Sequence, residues 1–141
     1  GISSGCAVAL KARLPAVDVY AVEPIEFDDT AKSLASGERV RIDDSARSIC
    51  DALLTTMPGE LTFAINRRLL SSVLTVSDQE VRAAMRFAFK NMKLVVEPGG
   101  AVALAAILSG KITTAGRTTA IVLSGGNIDI ELFAQIQAER N

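Results

Sequence analysis

The apolar run Ile121-Val122-Leu123 stops abruptly at Ser124-Gly125-Gly126-Asn127, and a helical pattern follows from Ile128. No other stretch narrows the folding options as much. A short β-branched run that is apolar on both faces needs cover on both, as in a parallel sheet with helices above and below. The turn that ends it places a hydroxyl and several unpaired backbone N–H groups at the carboxyl end of a strand. Ligands of α/β sheets bind there. The bland alternative is a plain strand-to-helix turn whose glycines serve backbone conformation only.

The rest of the chain repeats the alternation. Helical spacing covers residues 3–14, with Cys6, Val8, Leu10 and Leu14 marking it and Pro15 ending it. Residues 17–22 read as a strand ended by Glu23-Pro24. Asp28 or Asp29 caps a helix to Ser36, with Gly37 as its stop, and Val40 and Ile42 suggest a short extended piece. A helix is predicted over 60–70 with Leu61, Ile65 and Leu69 on one stripe, then a strand over 72–76. Ser77-Asp78-Gln79-Glu80 is a capping box, and Val81, Ala84, Met85, Ala88 and Phe89 follow at helical spacing. An Ala-rich helix is expected over 101–108, a last strand over 118–123 and a last helix over 129–140. The fold class is therefore α/β, in three layers, with a mostly parallel sheet between helices.

Composition excludes several functions. Fifteen basic residues stand against sixteen acidic ones, a net charge of −1 with no basic stripe, which argues against nucleic acid. No apolar run approaches the ~20 residues of a membrane span, and no leader pattern opens the chain. The chain is 49% apolar with a mean hydropathy of +0.31, as buried parallel strands require. Cys6 and Cys50 are isolated, which reads as reduced, packed thiols of a cytoplasmic protein. There is no histidine, no nucleophile–base pair, no Walker loop and no dinucleotide fingerprint.

Two further motifs have chemistry in them. Glu97-Pro98-Gly99-Gly100-Ala101 sets a carboxylate before a Gly-rich helix start. A buried Glu97 could share a proton; an exposed one is an ordinary turn glutamate. Glu23-Pro24-Ile25-Glu26-Phe27-Asp28-Asp29 packs four carboxylates into seven residues. That suits a hard cation held by carboxylates and a main-chain carbonyl. It equally suits an acidic helix N-terminus favoured by the helix dipole.

Taken together, these motifs resemble the fold-type II pyridoxal-phosphate enzymes, specifically the threonine/serine dehydratases and serine racemases. Gly1-Ile2-Ser3-Ser4-Gly5 is similar to the end of that family's tetraglycine loop and its following helix. Tyr20-Ala21-Val22-Glu23-Pro24, Asp28-Asp29, Pro58-Gly59-Glu60-Leu61-Thr62-Phe63, Leu94-Val95-Val96-Glu97-Pro98 and Leu123-Ser124-Gly125-Gly126-Asn127 follow in the family's order. The resemblance spans essentially the whole chain.

It implies site residues one by one. Gly1 matches the last tetraglycine residue, whose amides hold the phosphate of pyridoxal 5'-phosphate. Ser124 matches the serine that hydrogen-bonds the pyridine nitrogen. A neutral partner there leaves the ring a weaker electron sink, which suits β-elimination. Glu97 matches a glutamate near the ring, and Gly125 and Asn127 shape the turn beside it. Glu23 and Asp29, with the carbonyl of Phe27, match a site for Mg2+ or Ca2+.

Two departures stand out. The family's Ala-Asp-Gly is Cys50-Asp51-Ala52 here, and Ala52 alters the fit near the substrate. None of Lys11, Lys32, Lys90, Lys93 or Lys111 sits in the family's Ser-x-Lys-x-Arg-Gly context for the Schiff-base lysine. No catalytic residue is thus assigned to this sequence, and the chain alone is expected to be inactive. The expected partners are the N-terminal remainder of the same enzyme, a small amino-acid substrate and further copies in a dimer or tetramer. The implied reaction is dehydration and deamination of L-threonine or L-serine to a 2-oxo acid. Serine racemisation and 3-hydroxyaspartate dehydration are alternatives on the same scaffold. A non-catalytic α/β ligand-binding or regulatory module is the alternative from another class. No regulatory segment follows the last helix, which tilts the resemblance toward a catabolic or racemase-like branch.

Overall fold

The computed structural model describes residues 1–139. Among them are two strands, β1 (Tyr20–Pro24) and β2 (Ser72–Val76). Six α-helices accompany them: α1 (Ile2–Arg13), α2 (Asp29–Ser36), α3 (Glu60–Leu69), α4 (Asp78–Phe87), α5 (Pro98–Leu108) and α6 (Ile130–Ala138). The strands pair in parallel, from Tyr20 opposite Ser72 to Pro24 opposite Val76. Parallel pairing needs a long crossover, and α2 and α3 supply it. The expected α/β class with a parallel sheet is what the chain adopts.

The sequence of α5 dictates its place. It has no charged side chain and is buried at Pro98 through Val102 and again at Leu104, Ala105 and Ala106. A helix that is apolar all round must be covered on all sides. It packs against both strands and against α4, and α6 packs on α4. Val76, Val81, Ala84, Met85 and Ile136 join it in one core. Val76, Val81, Met85 and Ile136 each contribute about 1.5–3 kcal/mol on burial.

Local signals hold where they are strongest. The Ser77 hydroxyl accepts the Glu80 N–H at 3.2 Å, and the Ser77 N–H donates to Glu80 Oε2 at 2.7 Å. Gly37 stops α2, as predicted. The last helix starts at Ile130 with Asp129 as its cap, and the predicted end at residue 140 lies outside the described residues.

Other expectations need correction. The first strand lies at Tyr20–Pro24, shifted toward Pro24 from the predicted 17–22. Proline at the strand's end forfeits only the last ladder bond, so the run carries through it. Residues 118–123 are no strand: none of their backbone groups joins a ladder among the described residues. Their side chains still alternate, with Ile121 and Leu123 packed on the core and Val122 56% exposed. A strand is a pairwise object, and period-2 burial alone does not make one. Residues 40–42 likewise form no strand among the described residues.

The stripe Leu61, Ile65, Leu69 is not the inner face of α3. Leu61 is 74% exposed, and Phe63 and Asn66 are buried instead. In α1 the buried positions are Ser4 and Ala7, while Val8, Leu10 and Leu14 are exposed. Helix α4 runs into a π-turn over Ala88–Met92, ended by Lys93 in the left-handed region at φ 59°. The wider turn takes Phe89 off the buried stripe, and it packs edge-on against Phe133 at 5.3 Å.

Candidate cofactor and cation sites

The segment before α5 and the segment before α6 meet backbone to backbone. The Glu97 N–H donates to the Gly125 carbonyl at 3.0 Å. The Glu97 carboxylate, through Oε2, accepts the Asn127 N–H at 3.0 Å. A Cβ on Gly125 would stand 2.5 Å from Glu97 Cδ and Oε1. One on Gly100 would stand 2.9 Å from the Gly125 carbonyl oxygen and 3.0 Å from its nitrogen. One on Gly126 would stand 2.8 Å from the Val95 carbonyl oxygen. Glycine is therefore required at this contact for close approach. Ser124 begins this braced turn, is exposed, and its hydroxyl has no partner among the described residues.

Gly1 caps α1 without a side chain, and its carbonyl accepts the Gly5 N–H at 3.0 Å. The amides of Ile2, Ser3 and Ser4 open the helix and have no helical partner. This end is anchored from below: the buried Ser4 hydroxyl donates to Asn66 Oδ1 of α3 at 2.9 Å. No hydrogen bond links Gly1 to the Glu97–Asn127 cluster.

A second polar focus lies where β1 ends. Glu23 accepts the Thr30 N–H at 3.3 Å and the Ala31 N–H at 3.1 Å, capping α2 from outside the helix. Burial, reinforced by the charge of Asp29, pushes the Glu23 carboxyl up to about 7 despite those bonds. Burial also pushes Asp29 up to about 6. Asp29 is 2% exposed, and its Oδ2 has no hydrogen-bond partner among the described residues. Asp28 is different: Lys32 sits 2.8 Å from its Oδ1. Phe27 is buried in the one-turn segment Ile25–Phe27 between Glu23 and Asp29. Among the described residues no three acidic, Cys or His side chains converge. A cation here would rest on two carboxylates and main-chain oxygen, and the orphaned Asp29 Oδ2 fits one.

Sequence reasoning missed three features. The Gly99-Gly100 pair inside a helix was a signal, since each glycine there costs about 1 kcal/mol without a reason. Gly100 meets the Gly125 backbone of the 124–127 turn, and Gly99 meets Ala52 and Leu53. Asn66 gave no signal, because a lone polar residue in a helix reads as exposed. The loop before α3 was also missed: Ser48 Oγ donates to Asp78 Oδ1 at 2.6 Å and the Ile49 N–H to Asp78 Oδ2 at 3.0 Å. This pins the segment that carries Ala52, whose Cβ lies 3.3 Å from where one on Gly99 would be. Cys50 beside it is buried, and burial pushes its thiol up to about 11, away from reactivity. Two surface depressions lie elsewhere, one between α2 and β2 and one around Glu26, Lys32 and Arg47. The Ser124 turn is on open surface.

The family model described as pyridoxal-phosphate dependent enzyme matches residues 1–125. The chain belongs to this family. L-threo-3-hydroxyaspartate ammonia-lyase of a Pseudomonas species is 40% identical over 96% of this chain and 42% of its own length. L-threonine ammonia-lyase of Thermotoga maritima is 33% identical over 96% of this chain and 33% of its own length. The crystal structure of maize serine racemase superposes with a TM-score of 0.85 at 35% identity, covering 94% of this chain and 42% of that one. This chain thus spans well under half the length of the relatives it matches. No helix among the described residues is long and apolar enough to cross a membrane.

Proposed function

We propose that this chain is the C-terminal part of the large, cofactor-binding domain of a fold-type II pyridoxal-phosphate ammonia-lyase. The whole enzyme would eliminate water from L-threonine or L-serine, and hydrolysis of the resulting enamine would return that water and release ammonia, leaving a 2-oxo acid. One observation carries the reading: a turn gripped at two points by Glu97 presents a hydroxyl, that of Ser124, with no partner among the described residues and within the family match.

Pyridoxal phosphate, when bound, supplies an electron sink for the negative charge that develops at the substrate's α-carbon. Ser124 would offer its hydroxyl to the pyridine nitrogen, a neutral partner that suits elimination. The open amides after Gly1 would hold the phosphate at the start of α1, where the helix dipole favours an anion. Glu97, Gly125 and Asn127 would keep the turn in place. Glu23, Asp29 and the Phe27 carbonyl would hold Mg2+ or Ca2+, tying the end of β1 to the start of α2. The Schiff-base lysine belongs to an N-terminal remainder of the enzyme. Exposed Leu94, Val95 and Val122, on segments that join no ladder among the described residues, support a sheet that continues into that remainder. A cytoplasmic homo-oligomer completes the proposal.

A second reading, elimination from threo-3-hydroxyaspartate, is favoured by the 40% identity to the Pseudomonas enzyme. The test uses the intact enzyme. Absorbance near the visible edge reports bound cofactor, and 2-oxo acid release from L-threonine, L-serine and L-threo-3-hydroxyaspartate ranks the substrates. A protein that binds no pyridoxal phosphate would overturn the proposal. We expect no dehydration by the 141-residue chain alone.

A further inference from the structure

We propose that Glu97 is a positioning residue: it holds the Ser124 hydroxyl in place through the 124–127 turn and exchanges no proton itself. The inference rests on the cofactor reading above and deepens it.

Glu97 meets the turn with both its main chain and its side chain. Its N–H donates to the Gly125 carbonyl at 3.0 Å. Its Oε2 accepts the N–H of Asn127, thirty residues away in sequence, at 3.0 Å. Between these two bonds the carboxylate lies against the Gly125 backbone. A Cβ there would meet Cδ and Oε1 at 2.5 Å and Oε2 at 2.7 Å. The carboxylate is thus committed to the turn.

The other side of the grip is rigid. Glu97 is the N-cap of α5, the most buried helix, and its neighbours Val96 and Pro98 are both buried. Gly100, one turn into that helix, abuts the nitrogen and oxygen of Gly125. Position is therefore passed from the core to α5, from α5 to Glu97, and from Glu97 to the turn. Ser124 has no side-chain bond of its own among the described residues, so its orientation depends on this brace. A hydrogen-bond donor aimed at a ring nitrogen must be held to a fraction of an ångström to be useful.

The brace and an acid–base role respond differently to substitution. A glutamine keeps an acceptor oxygen for the Asn127 N–H but carries no titrating proton. An alanine removes the acceptor. The experiment uses the intact enzyme with Glu97→Gln, Glu97→Ala and Ser124→Ala. Hydrogen exchange of cofactor-free protein is followed by mass spectrometry over residues 121–130. The nitrogen NMR shift of ring-labelled pyridoxal phosphate reports the pyridine hydrogen bond.

We expect E97A to exchange at least about tenfold faster over that segment, the factor set by losing a charge-assisted hydrogen bond. Its ring-nitrogen shift should move toward that of S124A. E97Q should stay within about threefold of the parent in exchange and keep the parent's ring-nitrogen shift. E97A exchanging at the parent's rate overturns the proposal. So does E97Q exchanging as fast as E97A, or an E97A ring signal equal to the parent's. A parent enzyme that takes up no pyridoxal phosphate overturns the cofactor reading instead, and the exchange comparison still decides for or against the brace.

Discussion

Gly100→Ala sets two effects of known size against each other. Gly100 is the third residue of α5, where replacing glycine by alanine gains at most about 1 kcal/mol. The new methyl carbon, however, would stand 2.9 Å from the Gly125 oxygen, 3.0 Å from its nitrogen and 3.1 Å from Val96 Cγ1. Two of these are backbone atoms that cannot rotate away. Overpacking of this kind costs about 1–3 kcal/mol. Displacing Gly125 also strains the bond between Asn127 and the Glu97 carboxylate, of a type that contributes about 1.5–3 kcal/mol. The clash therefore outweighs the propensity gain, and we expect a net loss of about 1–3 kcal/mol. Gly5→Ala is the control. Gly5 is also helical, but nothing lies within 4 Å of its added methyl, so it should gain about 0.5–1 kcal/mol. Urea unfolding of the parent and both variants measures the difference. If G100A stabilises as much as G5A does, the two turns are not in backbone contact and the described site is wrong.

Other expectations follow from single contacts. Asn66→Ala leaves the buried Ser4 hydroxyl without an acceptor and should cost about 1–3 kcal/mol in the same assay; a change within 0.3 kcal/mol would show that water replaces it. Ser77→Ala removes the cap of α4 and should cost about 0.5–2 kcal/mol, read as a lower melting temperature. Stability should also fall as pH rises. Glu23 and Asp29 titrate near 7 and 6 in the folded chain, against ordinary values of 4.5 and 3.8. The folded chain therefore keeps protons that the unfolded chain releases. Their contribution is full below about pH 4 and is lost as pH rises to about 7, with a ceiling of about 3 kcal/mol for Glu23. With chelator present the melting temperature should drop from pH 5 to pH 8. Millimolar Mg2+ or Ca2+ should restore it at pH 8 and do little at pH 5; no difference between the two pH values would remove the cation site from the proposal.

Much of the helical architecture was legible in the residues because helix signals are local. The capping box at Ser77–Glu80 and the stop at Gly37 lie within a turn or two of what they control. The family resemblance and the Ser124 turn were legible for the same reason, as short motifs in order. What the chain alone could not state was which residues meet across long separations. Period-2 spacing at 118–123 looks like a strand whether or not a partner is bonded, and only the tertiary structure shows no ladder there. The stripe of α3 that faces inward includes Asn66, whose partner Ser4 lies sixty-two residues away. That Gly100 and Gly125 are glycines for one shared reason, a backbone-to-backbone contact beside Glu97, appears only once α5 and the 124–127 turn are side by side. Spacing determines the secondary structure a segment prefers; the partner that satisfies its hydrogen bonds and fills its space is chosen by packing, over distances that no local pattern encodes.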